Sequence, residues 1–470
     1  MKNLIIVGAG SAGKHIINEI LKNNTKFNYN IIGFLDADKS KHHNIIKGYK
    51  VLGDHANIKY FIKQHKIDEI IIATTSINHK DLGKIYTEVK KQGVNVKVLP
   101  SFEELLLDKS FTKQLRKIRV EDLLGREPIN INSKDIHEYI NSKVVIVTGA
   151  AGSIGSELCR QLVKYNPEKL VMLDINENDL YFLELYLKRH YKIKVYPEIC
   201  NIREKGKLNY LFKKYQPDLV FHAAAHKHVP LMENNIGEAI KNNVFATRNL
   251  IEISDKYIVE KFVFISTDKA VNPTNIMGAT KRLAELILED KNKSSHTKYM
   301  AVRFGNVLGS NGSVIPLFKS LLKEGKDLTV THKEVTRYFM TIPEAAQLVL
   351  EAGYIGKGGE VFVLDMGKPI KIIDLAKRMI ELSGLNLGED VDIKITGLRP
   401  GEKLYEELLY DVDYCKETQN EKIFIADIRN EDIKIKSGLK NLKKIVENFD
   451  RNKMKKKLKE LVPTYKEANY

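Results

Sequence analysis

Residues 143–165, "KVVIVTGAAGSIGSELCRQLVKY", decide the fold. Five apolar or β-branched residues run into a glycine-rich turn, and a helix-period pattern follows. Continuous apolar runs of this length suit a strand buried on both faces, as in a parallel sheet. The glycines Gly149, Gly152 and Gly155 let the backbone turn tightly and approach a pyrophosphate, whose charge rests at the helix N-terminus. The next strand, "KLVMLDINE", ends in Asp174. A carboxylate at that point binds the hydroxyls of an adenosine ribose and repels a 2′-phosphate, so the pattern predicts NAD rather than NADP.

Working outward, "DLVFHAAAHKH", "KFVFIST" and "KYMAVRFGN" are three more strand-to-loop transitions. The same plan occurs once upstream. "NLIIV" enters "GAGSAG" (Gly8, Gly10, Gly13), and "YNIIGFLDAD" ends its strand near Asp36. Alternating strands and helices predict an α/β protein of two Rossmann-like doubly wound parallel-sheet domains. The expected division is a nucleotide-binding-type domain over 1–115 and a linker with one short helix over 116–142. A catalytic domain follows over 143–435: a dinucleotide-binding core at about 143–300 and a smaller substrate lobe at about 300–430. A basic helical tail ends the chain at 436–470. The first glycine turn either binds a nucleotide or keeps its form for close helix–strand packing.

Composition sets outer bounds. The 470 residues are 43% apolar and 29% charged, as in globular chains. No apolar run reaches the roughly 18 residues of a membrane helix. Cys159, Cys200 and Cys415 form no CxxC pair, which points to reduced thiols in the cytoplasm. The net charge of +16 is spread through mixed-sign segments, and the only dense cluster is "KMKKKLK" at 453–459. That reads as a lysine-rich surface, with peripheral contact to an anionic membrane as the other reading. No nucleic-acid motif is present. The histidines of "HAAAHKH" end a core strand without a carboxylate or cysteine spaced to complete a ligand set, so no metal is expected. The small run Ala223, Ala224, Ala225 instead lets the loop pass close to a nicotinamide ribose, with Lys227 facing the site mouth.

Six longer motifs carry a family resemblance: "TGAAGSIGSEL", "HAAAHKHVPLMENN", "STDKAVNPTNIMGATKR", "RFGNVLGSNGSVIPLF", "TRYFMTIPEA" and "LRPGEKLYEEL". From about 118 to 425 the chain resembles the UDP-N-acetylglucosamine 4,6-dehydratases of bacterial glycan biosynthesis, which are extended short-chain dehydrogenases/reductases. Membrane-bound members begin with a helix bundle that this sequence lacks, so anchoring is not carried over. The resemblance implies that NAD+ takes hydride from C4 of a UDP-HexNAc such as UDP-GlcNAc. Water leaves across C5 and C6, and hydride returns to C6. It implies a cofactor site at Thr148, Gly149, Gly152, Ser153, Ile154, Gly155 and Asp174, with Asn201 and Ile202 beside the adenine. Asn201 stands where an aspartate is common. Lys281 matches the lysine that binds the nicotinamide ribose. Arg337, Arg399 and Glu402 match positions that hold the nucleotide; Asn306, just after the "VRF" strand, is expected to contact a diphosphate or sugar.

The resemblance also exposes a departure. Four residues before Lys281 this fold commonly carries a catalytic tyrosine, and here the position is Met277, which exchanges no proton. Elimination still needs an acid for the C6 hydroxyl and a base for the C5 proton. Asp268 and Lys269 can serve as that pair, with Thr267 on the C4 oxygen. Asp268 is the better acid if burial raises its pKa. Lys269 is the better base if neutral, and Lys281 supplies a second cation to depress it. Met-type members keep the D-configuration at C5. A 4-epimerase of the same fold and a non-catalytic NAD- or UDP-sugar-binding regulator are the alternatives. A homo-oligomer is the expected assembly.

Overall fold

The computed structural model describes residues 1–22, 28–73, 77, 79–99, 133–407, 415–426 and 435–467. The chain folds into two compact units. The linker expected before residue 133 lies outside the described residues, apart from the helix Ser133–Ile140 at its end.

In the first unit, β1 (Lys2–Val7), β2 (Tyr29–Leu35), β3 (Ile45–Ile46), β4 (Tyr49–Gly53), β5 (Glu69–Ile72) and β6 (Asn95–Val98) form one sheet in the order β3-β4-β2-β1-β5-β6. All pairs are parallel except β3 with β4. Gly13 lets the helix Ser11–Lys22 sit on the turn, because a Cβ there would lie 2.0 Å from Gly8 O. The Asp36 carboxylate closes the turn by accepting from Ala9 N at 2.7 Å, and Lys41 Nζ lies 3.3 Å away. This unit also takes in Leu321–Leu328 and Leu375–Ile393. Tyr86 Oη donates to Leu382 O at 3.0 Å within it.

In the second unit, β7 (Val144–Thr148), β8 (Lys169–Asp174), β9 (Val195–Ile199), β10 (Leu219–His222), β11 (Lys261–Ile265) and β12 (Lys298–Arg303) are parallel, in the order β12-β11-β10-β7-β8-β9. Val361–Leu364 extends the sheet in parallel beyond β12, and Ile423–Ala426 and Cys415–Glu417 then add antiparallel strands. Every residue of β7, β10 and β11 is buried. Apolar clusters cover both faces. The order reverses between β7 and β10, which opens a crevice at their carboxyl ends.

The basic tail is a packed helical hairpin. Ile435–Glu447 and Arg451–Leu461 turn Leu439, Leu442, Val446, Met454, Leu458 and Leu461 into the core. The lysines fall on the outer face, several paired within the hairpin, as Lys453 with Asp450 and Lys457 with Glu460. Arg451 Nη2 donates to Glu233 O at 2.8 Å, and Lys466 N to Pro273 O at 2.9 Å. Among the described residues no helix is long and apolar enough to cross a membrane.

Candidate active site

At the β7–β10 crevice lies a cavity of about 640 Å³. Its floor is the glycine turn. Gly149 has φ 66°, and a Cβ on it would lie 2.6 Å from Ala224 N. A Cβ on Gly155 would lie 2.0 Å from Gly149 O. Two loops and a helix N-terminus therefore meet at distances that only hydrogen side chains allow. Gly149, Gly152, Ser153, Ile154 and Gly155 line the cavity, as do Ala223 and Ala225. Thr148, Asp174, Asn201, Ile202 and Ala224 do not. Thr148 is buried beneath the turn, with its hydroxyl 2.7 Å from His222 Nδ1. Asp174 accepts from Ala151 N and Asn176 N, both at 2.9 Å. A carboxylate has about four lone-pair sites, so two remain for a diol. Asn201 Oδ1 accepts from Arg203 N at 3.0 Å.

The wall is built by β11 and the helix Ile276–Asn292. Asn275 caps that helix, its Oδ1 accepting from Gly278 N at 2.8 Å. A Cβ on Gly278 would lie 2.1 Å from Lys269 O, so the glycine seats the helix directly on the Asp268–Ala270 turn. That close approach brings Met277 and Lys281 to the cavity beside Thr267 and Lys269. Lys281 Nζ donates to Ile265 O at 2.7 Å. Burial pulls its pKa down to about 7, against a smaller opposing pull from Glu285.

Thr267 Oγ1 donates to Asp268 Oδ1 at 2.8 Å, and Lys269 Nζ donates to the same oxygen at 3.1 Å. Asp268 is 3% exposed and does not line the cavity. Its Oδ2 has no hydrogen-bond partner among the described residues. Lys269 Nζ also meets Asn306 Oδ1 at 3.4 Å and Glu406 Oε1 at 3.4 Å. Burial lowers the pKa of Lys269, but Asp268 and Glu406 outweigh it, and the ammonium is held above the ordinary lysine value. The condition set for Lys269 as the better base, that it be neutral, is therefore not met at rest. The depressed lysine is Lys281, which among the described residues has no carboxylate in direct contact, and the cation acting on Lys269 is Arg337.

Arg337 lies on the far side of Glu406, with Nε 3.6 Å from Glu406 Oε1 and Nη2 3.1 Å from Glu402 Oε1. Arg337, Glu402, Arg399 and Asn306 all line the cavity. Lys227 stands at its mouth, solvent-accessible yet ringed by protein atoms that lower its pKa by desolvation. His222 is wholly buried between Thr148 and Thr247, and His226 Nε2 meets Arg203 Nη2 at 3.1 Å.

Sequence reasoning missed Glu406, although "LRPGEKLYEEL" contains it four residues after Glu402. It also missed Glu285, four residues after Lys281. There Glu285 Oε1 accepts from Ser266 Oγ at 2.6 Å and from Arg303 Nε at 2.7 Å, bracing the ends of β11 and β12.

Residues 145–428 match the polysaccharide biosynthesis protein family. The chain belongs to that family. Residues 1–100 separately match a CoA-binding domain. The chain is 48% identical to the probable polysaccharide biosynthesis protein EpsC of Bacillus subtilis, over 86% of this chain and 68% of that one. It is 34% identical to a UDP-N-acetylglucosamine 4,6-dehydratase (inverting) of Campylobacter jejuni, over 58% and 79%. It is also 34% identical to a UDP-glucose 4-epimerase of Rickettsia typhi, over 58% and 80%. Among solved structures, Pen from Bacillus thuringiensis aligns with 61% of this chain and 90% of its own, at 36% identity and TM-score 0.56. DesIV, a dTDP-glucose 4,6-dehydratase from Streptomyces venezuelae with NAD and TYD bound, shares the fold at 20% identity and TM-score 0.51, over 56% and 87%. The two-domain α/β expectation agrees with these likenesses.

Proposed function

We propose that this chain binds NAD and removes water across C5 and C6 of a UDP-HexNAc, with UDP-GlcNAc as the first candidate, in polysaccharide biosynthesis. One observation carries the reading: Met277 occupies the cavity wall one turn from Lys281, while a hydrogen-bonded Thr267–Asp268–Lys269 cluster stands beside it. A site for simple proton exchange at C4 needs one acid–base group there. This site has an acid–base pair and a relay hydroxyl instead.

The residues present fit NAD. Gly149 and Gly155 let the turn pack on the Ala223–Ala224 loop and the following helix while lining the cavity with backbone, and Asp174 keeps free acceptor sites for a ribose. Gly149, Gly152, Ser153, Ile154 and Gly155 would hold the pyrophosphate, Asp174 the adenosine ribose and Lys281 the nicotinamide ribose. When bound, NAD+ supplies reversible oxidation at the sugar carbinol, which acidifies the neighbouring C–H.

Asp268 and Lys269 share one transferable proton, which rests on Lys269. Its movement along the 3.1 Å contact to Asp268 Oδ1 leaves a neutral amine at the cavity and a neutral carboxylic acid behind it. As C4 is oxidised its hydroxyl proton would leave to solvent through the cavity; Lys269 then takes the proton at C5 and returns it there once C6 is reduced. Asp268 passes a proton to Thr267 Oγ1, 2.8 Å away, and Thr267 delivers its own to the departing C6 hydroxyl. Arg337 and Arg399 would face the diphosphate, where a guanidinium makes bidentate bonds. Glu402 would face a ribose, and Asn306 the diphosphate or sugar.

Incubation with UDP-GlcNAc and no added reductant tests the reading: the product should weigh one water less than the substrate. The relative named as an epimerase supports a second reading, 4-epimerisation, which leaves the mass unchanged. No turnover with retained NAD would favour a binding regulator. Proton couplings in the product's NMR spectrum distinguish the D-configuration, which the Met-type motif favours, from inversion at C5.

A further inference from the structure

Glu406 touches none of the cavity surface, yet its carboxylate is only 5% exposed and lies between two cations that do. Its Oε1 is 3.4 Å from Lys269 Nζ and 3.6 Å from Arg337 Nε. It is the middle of an alternating chain running Thr267, Asp268, Lys269, Glu406, Arg337, Glu402. A buried carboxylate is costly unless paired, and two buried cations are costly unless a carboxylate separates them. Remove Glu406 and Lys269 would face Arg337 directly.

We propose that Glu406 is a positioning residue, the buried carboxylate that clamps Lys269 to Arg337 and holds the lysine head group against Asp268. The inference rests on the dehydration reading for what Lys269 does, but not for where Glu406 holds it. Glu406 acts through Lys269, because it has no surface on the cavity of its own. It also joins the two ends of the cavity. The residue placed for proton transfer and the arginine placed for the diphosphate share one counter-ion, so a ligand that draws Arg337 toward itself changes the hold on Lys269. The charged groups facing Lys269 are Asp268 from its own turn, Glu406 and Arg337; Lys281 lines the same cavity from the helix Ile276–Asn292. Of the two carboxylates, Asp268 is reserved for proton transfer in this scheme. Glu406 is the one free to act as a fixed charge.

The test uses the full-length protein and the variants Glu406→Gln and Glu406→Asp. Competitive acylation of lysines across pH, read by mass spectrometry on the peptide carrying Lys269, follows its ammonium without substrate. Glu406→Gln should move the Lys269 labelling midpoint to lower pH, and Glu406→Asp should return it toward the parent. An unmoved midpoint in Glu406→Gln overturns the inference whatever reaction the enzyme performs. In the dehydration assay, the alkaline limb of kcat should also move to lower pH in Glu406→Gln, with kcat at neutral pH reduced about tenfold or more. A uniform loss at every pH that follows only a lower Tm would reduce Glu406 to a packing role and also overturn it. If parent and variants all leave UDP-GlcNAc intact while the midpoint moves, the dehydration reading fails and the clamp stands.

Discussion

Met277 and Lys281 stand one turn apart on the helix Ile276–Asn292 and both line the same cavity, but only the lysine can exchange a proton. The proton-active neighbours of that cavity lie across from the helix, at the end of β11. Met277 is 3% exposed and packs in the apolar cluster on one face of the sheet.

Met277→Ala should therefore cost packing and little chemistry: a lower Tm, with kcat within a few-fold of the parent. Asp268→Asn and Lys269→Met should each lower kcat by about 100-fold or more, the usual scale for a lost acid or base. Thr267→Val should join them and Thr267→Ser should not, because only the hydroxyl is needed for the relay. Steady-state kinetics on folded variants checks all five.

Lys281 gives a pH signature in stability. Its folded pKa of about 7 lies far below the unfolded value, so between about pH 7 and pH 10 the unfolded chain binds the extra proton. Stability contributed at this residue thus rises with pH across that window, by up to about 1.4 kcal/mol per pH unit, and the full penalty is present below it. Lys281→Met should raise the Tm of the cofactor-free protein most at or below about pH 7, with the gain shrinking toward about pH 10. Thermal melts of both proteins over that range measure it.

Glycines that look alike in the two turns differ by their place in the turn: Gly155 and Gly13 each close on a backbone carbonyl, and Gly10 does not. A Cβ on Gly155 would strike Gly149 O at 2.0 Å, whereas one on Gly10 meets nothing within 4 Å. Gly155→Ala should abolish NAD retention and destabilise the fold, while Gly10→Ala should leave stability nearly unchanged. Bound nucleotide after purification and the Tm report both.

Ending the chain at residue 434 should do more than remove charge. Leu439, Leu442, Met454 and Leu458 would leave the core, each worth about 1.5–3 kcal/mol of burial. The bonds to Glu233 O and Pro273 O would go too, next to the Asn275 cap of the helix carrying Met277 and Lys281. A marked fall in Tm with loss of turnover is expected. Lysine-to-glutamine changes on the outer face at Lys456 and Lys440 should leave both near the parent values.

What the sequence revealed was what repeats locally. Strand, glycine turn, helix and terminal aspartate lie within about thirty residues, so β7, Gly149, Gly155 and Asp174 could be read from the chain alone. Thr267, Lys269, Met277 and Lys281 also sit within one short stretch, and the cavity lies between them. What depends on distant segments was not legible. Glu406 reaches Lys269 across more than a hundred residues of chain, so nothing near "STDK" announced the second carboxylate that joins Asp268 in holding the lysine protonated. That no such carboxylate touches Lys281 among the described residues is equally a tertiary fact, and so Lys281, not Lys269, is the lysine whose pKa is pulled down. The tail's lysines marked its solvent face, but its buried face shows only when the leucines are placed on two antiparallel helices.

The most direct test of the central claim uses UDP-GlcNAc carrying deuterium at C4, given to the enzyme with no external reductant. Dehydration with internal return predicts a product one water lighter that retains the deuterium, now at C6. A product of unchanged mass with deuterium still at C4, or a product that has lost the label, would contradict it.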